Sequence, residues 1–170
     1  FLKLAAKIGG IYVPSLYDVS YNDDNTIKSV VPNHENAPAV VSKRIIKDLD
    51  SVYYPENFVV PYVDIVFDRA MIEVMRGCIR GCRFCQAGMI YRPIREKSPE
   101  TVARDAKNLI NSTGYDELGL TSLSTSDYTK LEELLNRLLG WAEDKQTNIT
   151  VPSLRVDGFS EELANRLNVL

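Results

Sequence analysis

The chain is poor in histidine and cysteine, the nitrogen and sulfur ligands of zinc and iron–sulfur sites. One histidine (His34) and three cysteines occur in 170 residues. A histidine-based zinc site is thereby reduced to a single candidate ligand, and an odd cysteine count excludes a complete disulfide framework. Nothing resembles a secretory signal, no apolar run is long enough to span a bilayer, and neither low-complexity segments nor internal repeats occur beyond strand–helix alternation. Charge of neither sign dominates: 20 basic residues stand against 23 acidic ones, net −3. The chain as a whole does not advertise a nucleic-acid or membrane surface. The first methionine is Met71, the chain opens at Phe1, and Leu170 falls inside a helical pattern. The sequence therefore reads as an internal piece of a longer protein. The ordinary hydrophobic and charged fractions, 45% and 25%, suit one globular domain with a real core.

The scarce cysteines are concentrated. Cys78, Cys82 and Cys85 follow the spacing C-x3-C-x2-C, with Gly77 and Gly81 before the first two. Three thiolates on one short loop can meet at a metal only if the backbone folds tightly around it, and glycines permit that approach. Three ligands are one short of a structural zinc site or a closed iron–sulfur cluster. A [4Fe-4S] cubane held by three cysteines would leave one iron open to a substrate or cofactor. A zinc knuckle needs a fourth ligand, either His34, far upstream between Pro32 and Pro38, or an acidic residue. Free cysteines in such a motif point to a reducing, cytoplasmic compartment.

Phe84 just before the last cysteine, Arg76-Gly77-Cys78 through Gln86-Ala87-Gly88, and Tyr91-Arg92-Pro93 carry a resemblance. The loop resembles that of radical S-adenosylmethionine (SAM) enzymes, and is most similar to an uncharacterised bacterial group with a cobalamin-binding-like domain upstream. Methylthiotransferases are more distant relatives. The specific likeness covers roughly residues 68 to 98. It implies a [4Fe-4S] cluster on Cys78, Cys82 and Cys85, SAM on the open iron, and reductive cleavage of SAM to a 5′-deoxyadenosyl radical. It further implies an electron donor such as flavodoxin or ferredoxin, and cobalamin as a possible cofactor of the full-length protein. Phe84 is expected near the adenine, with a hydrophobic plug over the cluster as a compatible role. The family's Gly-Gly-Glu-like contact after the second strand is replaced here by Thr121 to Asp127; Ser124 is the candidate for the SAM amino group, helix capping the competing reading. On the third strand Ser153 and Arg155 share a face. Arg155 is either a partner of the SAM carboxylate or half of a structural salt bridge.

The loop is also basic. Between residues 76 and 97, Arg76, Arg80, Arg83, Arg92, Arg95 and Lys97 face only Glu96. Such charge favours an anionic cluster and could hold a phosphate-bearing substrate such as RNA; a solvated surface competes for each arginine taken singly.

The pattern along the chain predicts a fold. Phe1–Ile8 reads as a short helix stopped by Gly9-Gly10 or as a frayed terminus. Ile11–Tyr21 and Thr26–Val31 read as a hairpin turning at Asn22-Asp23-Asp24-Asn25, packed through Tyr12, Tyr17 and Tyr21. Val40–Leu49 suggests a short strand passing into a helical turn, and Tyr53–Pro61 an extended linker. Ile65–Phe67 and Ala70–Met75 read as a strand buried on both faces. Ser98-Pro99-Glu100 opens a helix ended by Gly114. Asp116–Leu123 is a second strand, and Ser126 or Asp127 caps a helix buried through Leu131, Leu134, Leu135, Leu138 and Leu139. Asn148–Val156 is a third strand, and Ser160-Glu161-Glu162 opens a third helix.

The fold class expected is α/β: an incomplete radical-SAM (βα) partial barrel of three units over residues 63–170, behind an N-terminal β-hairpin and linker region over 1–62. The functional expectation is an enzyme fragment, possibly for methyl or methylthio transfer, with RNA as a possible substrate. The alternative is a non-catalytic zinc- or iron–sulfur-stabilised RNA-binding module. No membrane partner is expected. A third strand left at an open edge would favour an edge-to-edge dimer of the fragment.

Overall fold

Strand-forming runs become strands only where a neighbour accepts their backbone hydrogen bonds, and that condition shapes this chain. The structure, a computed structural model, describes residues 1–155, 157, 161, 164 and 165. It divides into two units, Phe1–Ile46 and Lys47–Leu170. The break falls earlier than the change of sequence character near residue 62. Leu49 is buried, Asp50 accepts a hydrogen bond from the Ser98 amide at 2.8 Å, and the Tyr54 hydroxyl donates to Met71 O at 2.8 Å. These contacts make the expected linker part of the second unit.

In the first unit, helix α1 (Leu2–Ala5) precedes strands β1 (Tyr17–Tyr21) and β2 (Ile27–Pro32), which pair antiparallel as the hairpin pattern predicts. Asp24 in the turn accepts from the Thr26 amide at 3.0 Å. The core is small: Ala6, Val13, Leu16, Tyr17 and Ala37. Of the three tyrosines expected to pack, Tyr17 is buried and Tyr12 lies against it, ring centroids 4.8 Å apart; Tyr21 is exposed because it sits at the hairpin tip. Val40–Leu49 forms no regular element. His34 is occupied locally, its Nδ1 accepting from the Asn36 amide at 3.1 Å.

The second unit begins its sheet at β3 (Ala70–Glu73), followed by β4 (Met75–Arg76), α2 (Ala87–Ile90), β5 (Arg95–Glu96), α3 (Pro99–Thr113), β6 (Glu117–Thr121), α4 (Leu131–Lys145) and β7 (Asn148–Thr150). Strands β3, β6 and β7 form a parallel sheet in that order, with Ile72 beside Leu120 and Leu118 beside Ile149. The βα alternation read from the sequence is thus present, and the sheet does not close. Ile65–Phe67 stays outside it: Val66 is 88% exposed, and among the described residues no strand pairs with this segment.

Helix α3 starts and stops where its residues direct. Ser98 Oγ accepts from the Thr101 amide at 3.2 Å, Pro99 occupies the first turn, and Gly114 closes the helix in the left-handed region, φ 75°. Helix α4 buries Leu131, Leu134, Leu135 and Leu138, with Leu139 partly buried, against the same core as Ile72, Val74, Val102, Leu118 and Leu120. It begins at Leu131, with neither Ser126 nor Asp127 as its cap. Both side chains are engaged elsewhere, and Thr125–Asp127 forms its own 3-10 turn. Strand β7 ends before Val156, which lies outside the described residues together with most of the third helix expected from Ser160-Glu161-Glu162. Among the described residues no helix is long and apolar enough to cross a membrane.

Candidate cluster-binding site

The cysteine loop leaves the sheet at the C-terminal end of β3, where α/β folds carry their active-site groups. Its two ends are closed on each other. β4 pairs antiparallel with β5, Met75 opposite Glu96 and Arg76 opposite Arg95, and the Lys97 amide donates to Val74 O at 2.9 Å. Residues 77–94 are therefore an excursion with a fixed base, which a reading of one continuous strand into a loop does not reveal.

Inside the excursion the backbone is crowded. Gly77 has φ +101°, and a Cβ there would lie 2.7 Å from Tyr91 O. A Cβ on Gly88 would lie 2.6 Å from Arg80 O. Gly81, singled out in the sequence, has open space around it; Gly88 is the second position where no side chain fits. The Cys85 amide donates to Cys82 O at 3.0 Å, and the Arg80 amide donates to Cys78 Sγ at 3.4 Å. Cys78 and Cys82 are half-buried and Cys85 is exposed. Phe84 is 93% exposed. Among the described residues, no three His, Cys, Asp or Glu side chains gather closely enough to hold a metal ion.

The donor set nevertheless fits an iron–sulfur cluster. Three soft sulfur ligands share one glycine-cradled loop, and a backbone N–H already points at one of them.

The basic character of the loop changes on folding. Arg76 pairs with Glu73 through two hydrogen bonds at 2.8 and 2.6 Å. Arg80 pairs with Asp127, and Lys97 is buried 3.9 Å from Asp105 and over the Tyr54 ring. Among the described residues, carboxylates outside the loop thus offset at least three of the six loop cations. Arg80 holds the Asp127 carboxyl below the usual carboxylate range; burial opposes this and is outweighed, with the Ser124 hydroxyl assisting Arg80. The Arg76 hydrogen bonds likewise hold Glu73 low against the opposing effect of burial.

The other expected site residues come to the same end of the sheet. Ser124 is 3% exposed and donates to Asp127 at 2.8 Å. Ser153 carries φ 61°, is exposed, and accepts from the Thr125 amide at 3.2 Å through its carbonyl. Arg155 forms an ion pair with Asp157 at 2.8 Å, the structural salt bridge of the two readings, and its amide donates to Ser126 Oγ. The hydrogen bond and charge of Asp157 raise the Arg155 guanidinium, and Cys82 lies close enough to add to that field. Asp127 was legible only as a cap. The signal that it was more was the surplus of arginine in the loop, which needs an acid from elsewhere.

A cavity of about 360 Å³ opens beside the loop, lined by Glu73, Met75, Tyr91, Thr121, Ser122 and Leu123 among others. Thr121 Oγ1 is buried and has no hydrogen-bond partner among the described residues.

A family model described as the radical SAM superfamily matches residues 72–168. The chain belongs to the radical SAM superfamily. This superfamily member is also similar to an uncharacterised protein of Methanocaldococcus jannaschii, 27% identical over an alignment of 143 residues that covers 79% of this chain and 31% of the relative. It is similar as well to the threonylcarbamoyladenosine tRNA methylthiotransferase of Bacillus subtilis, 27% identical over 116 residues, 59% of this chain and 26% of the relative. The chain spans about a quarter to a third of the length of these curated relatives. Superfamily membership brings with it an iron–sulfur cluster and SAM as the expected cofactors.

Proposed function

We propose that this chain is the cluster-bearing part of a radical SAM enzyme, with Cys78, Cys82 and Cys85 as the three thiolate ligands. The observation that carries the reading is the closed excursion over residues 77–94. It presents all three thiols and the Arg80 N–H to Cys78 Sγ contact at the C-terminal end of a parallel sheet. When bound, the cluster and SAM supply reductive cleavage of a carbon–sulfur bond to give a 5′-deoxyadenosyl radical. The residues of this chain hold, orient and shield those partners. Metal binding and folding are coupled in such sites, so the loop gathers its thiolates on ligation. Phe84, exposed on the loop, is assigned in this reading to the neighbourhood of the SAM adenine. The cavity beside the loop, with Met75, Tyr91 and Leu123 in its lining, offers apolar walls to the ligand.

Methyl or methylthio transfer is the finer reading, supported by the methylthiotransferase relative; RNA as substrate rests on that relative's name alone. The pairing of Arg76, Arg80 and Lys97 with internal acids counts against a purely RNA-binding module. An electron donor of the flavodoxin or ferredoxin kind in a reducing compartment completes the proposal. Cobalamin would belong to the full-length protein, and edge-to-edge pairing through β7, an edge strand among the described residues, to the isolated chain.

The test is to supply SAM and dithionite anaerobically to the reconstituted full-length protein and quantify 5′-deoxyadenosine. The proposal expects turnover that is lost in Cys78→Ser, and much slower turnover by the isolated chain, whose open sheet admits water to the site. A cluster-free, zinc-loaded protein with no turnover would contradict it.

A further inference from the structure

The six residues from Ser122 to Asp127 make links that a connector between a strand and a helix does not need. Arg80, midway between Cys78 and Cys82, donates Nε to Asp127 Oδ2 at 2.9 Å and Nη2 to Oδ1. The Asp127 side chain is 6% exposed and that of Arg80 40%, so the acid is the anchored end. A carboxylate removed from water needs its lone pairs occupied. Ser124 supplies a further donor, Oγ to Oδ2 at 2.8 Å. Ser124 is fixed in turn: its amide donates to Ser122 Oγ at 3.1 Å, and the Ser122 and Thr125 hydroxyls bond at 2.8 Å. The same turn grips the chain after β7 through Thr125 N to Ser153 O and Arg155 N to Ser126 Oγ, both 3.2 Å. None of these side chains caps α4.

We infer that Asp127, held by Ser124, is a positioning residue that fixes the cysteine loop through its two-point ion pair with Arg80, and so sets the geometry in which the cluster is bound. The inference rests on the cluster-binding reading above. A fork-to-fork arginine–carboxylate contact restricts rotation as well as translation. Arg80 is the residue whose backbone N–H reaches Cys78 Sγ. Fixing its guanidinium therefore fixes both a hydrogen bond to a ligand sulfur and a cation beside it, which are the features that tune cluster binding and potential.

Two measurements on the full-length protein test this. In the first, the reconstituted protein meets an iron chelator, and loss of visible absorption is followed for wild type, Asp127→Asn, Ser124→Ala and Arg80→Met. Asp127→Asn and Arg80→Met are expected to lose iron about ten-fold faster than wild type, with Ser124→Ala between, the scale typical of residues that orient metal ligands. The swap Arg80→Asp with Asp127→Arg should recover part of the lost retention, which a general structural role would not. Equal release rates in wild type, Asp127→Asn and Arg80→Met would overturn the inference while leaving the cluster assignment intact. In the second, amide hydrogen exchange of residues 78–85 is compared in metal-free wild type and Asp127→Asn. Faster exchange confined to that loop supports the anchor even if no cluster forms; equal exchange overturns it. Arg80→Met, outside the core, serves in place of Asp127→Asn if the latter lowers the melting temperature of the whole fold.

Discussion

The sheet with its two helices and the cysteine loop are neighbours built on opposite terms. In and around β3, β6, β7, α3 and α4, eighteen buried apolar residues among those described form one continuous core, so each position is fixed by several others. From Gly77 to Ile94 the only buried residues are glycines, Gly77 and Gly88. That loop is held by backbone crowding, a short ladder at its base and an ion pair to Asp127. The core can form from apolar contacts alone. On the proposed reading the loop reaches its working shape only with its ligand, which would separate what stabilises this protein from what makes it act.

Truncation inside the core should have the largest effect on stability. Leu134→Ala removes a side chain with no exposed surface. It should cost about 2–5 kcal/mol, read from chemical denaturation, while whatever fraction stays folded keeps its capacity for a cluster. A variant that lost cluster uptake without losing stability would break the comparison from the core side.

Gly77→Ala attacks the loop side. A methyl at φ +101°, 2.7 Å from Tyr91 O, should introduce about 1–3 kcal/mol of local strain. Iron uptake per chain should fall by more than half, with a melting shift far smaller than that of Leu134→Ala. A large drop in melting temperature would show that the loop belongs to the cooperative core.

Legibility in the sequence divides along the same line. The Ser98-Pro99 start and Gly114 stop of α3, and the leucines of α4, were readable because each is a local or periodic signal. The hairpin turn at Asn22–Asn25 was readable for the same reason. Ile65–Phe67 misled, because composition cannot say whether a partner strand stands beside it. Ser126 and Asp127 misled as caps, because their partners, Arg155 and Arg80, lie far away in the chain. The three cysteines are a candidate ligand set by spacing alone. That Asp127 and Glu73 would neutralise the arginines around them needed the fold.

Acid gives a smaller and more selective effect. Asp127 titrates below its ordinary value of 3.8 because Arg80 stabilises the ionised form. Its contribution is therefore fully present above that value and lost as pH falls through the lower folded value. Exchange protection of the loop should be flat above about pH 5 and fall only below the usual carboxylate range; Asp127→Asn should abolish that dependence. Asp50 is shifted the same way: burial pushes it up, but hydrogen bonds from Ser98 and Thr101 outweigh that effect. Its titration should loosen the start of α3, which separates the two groups by location. A loop that loosened near neutral pH would contradict the assignment.

If Cys78, Cys82 and Cys85 together hold an iron–sulfur cluster, the metal content of the protein reports it. Iron, sulfide and zinc should be measured per chain in the full-length protein purified without oxygen, beside the three single Cys→Ser variants. The account predicts about four iron and four sulfide per chain, the content of a [4Fe-4S] cluster, no stoichiometric zinc, and loss of the visible chromophore in every variant. Stoichiometric zinc without sulfide, or undiminished iron and sulfide in all three variants, would contradict it.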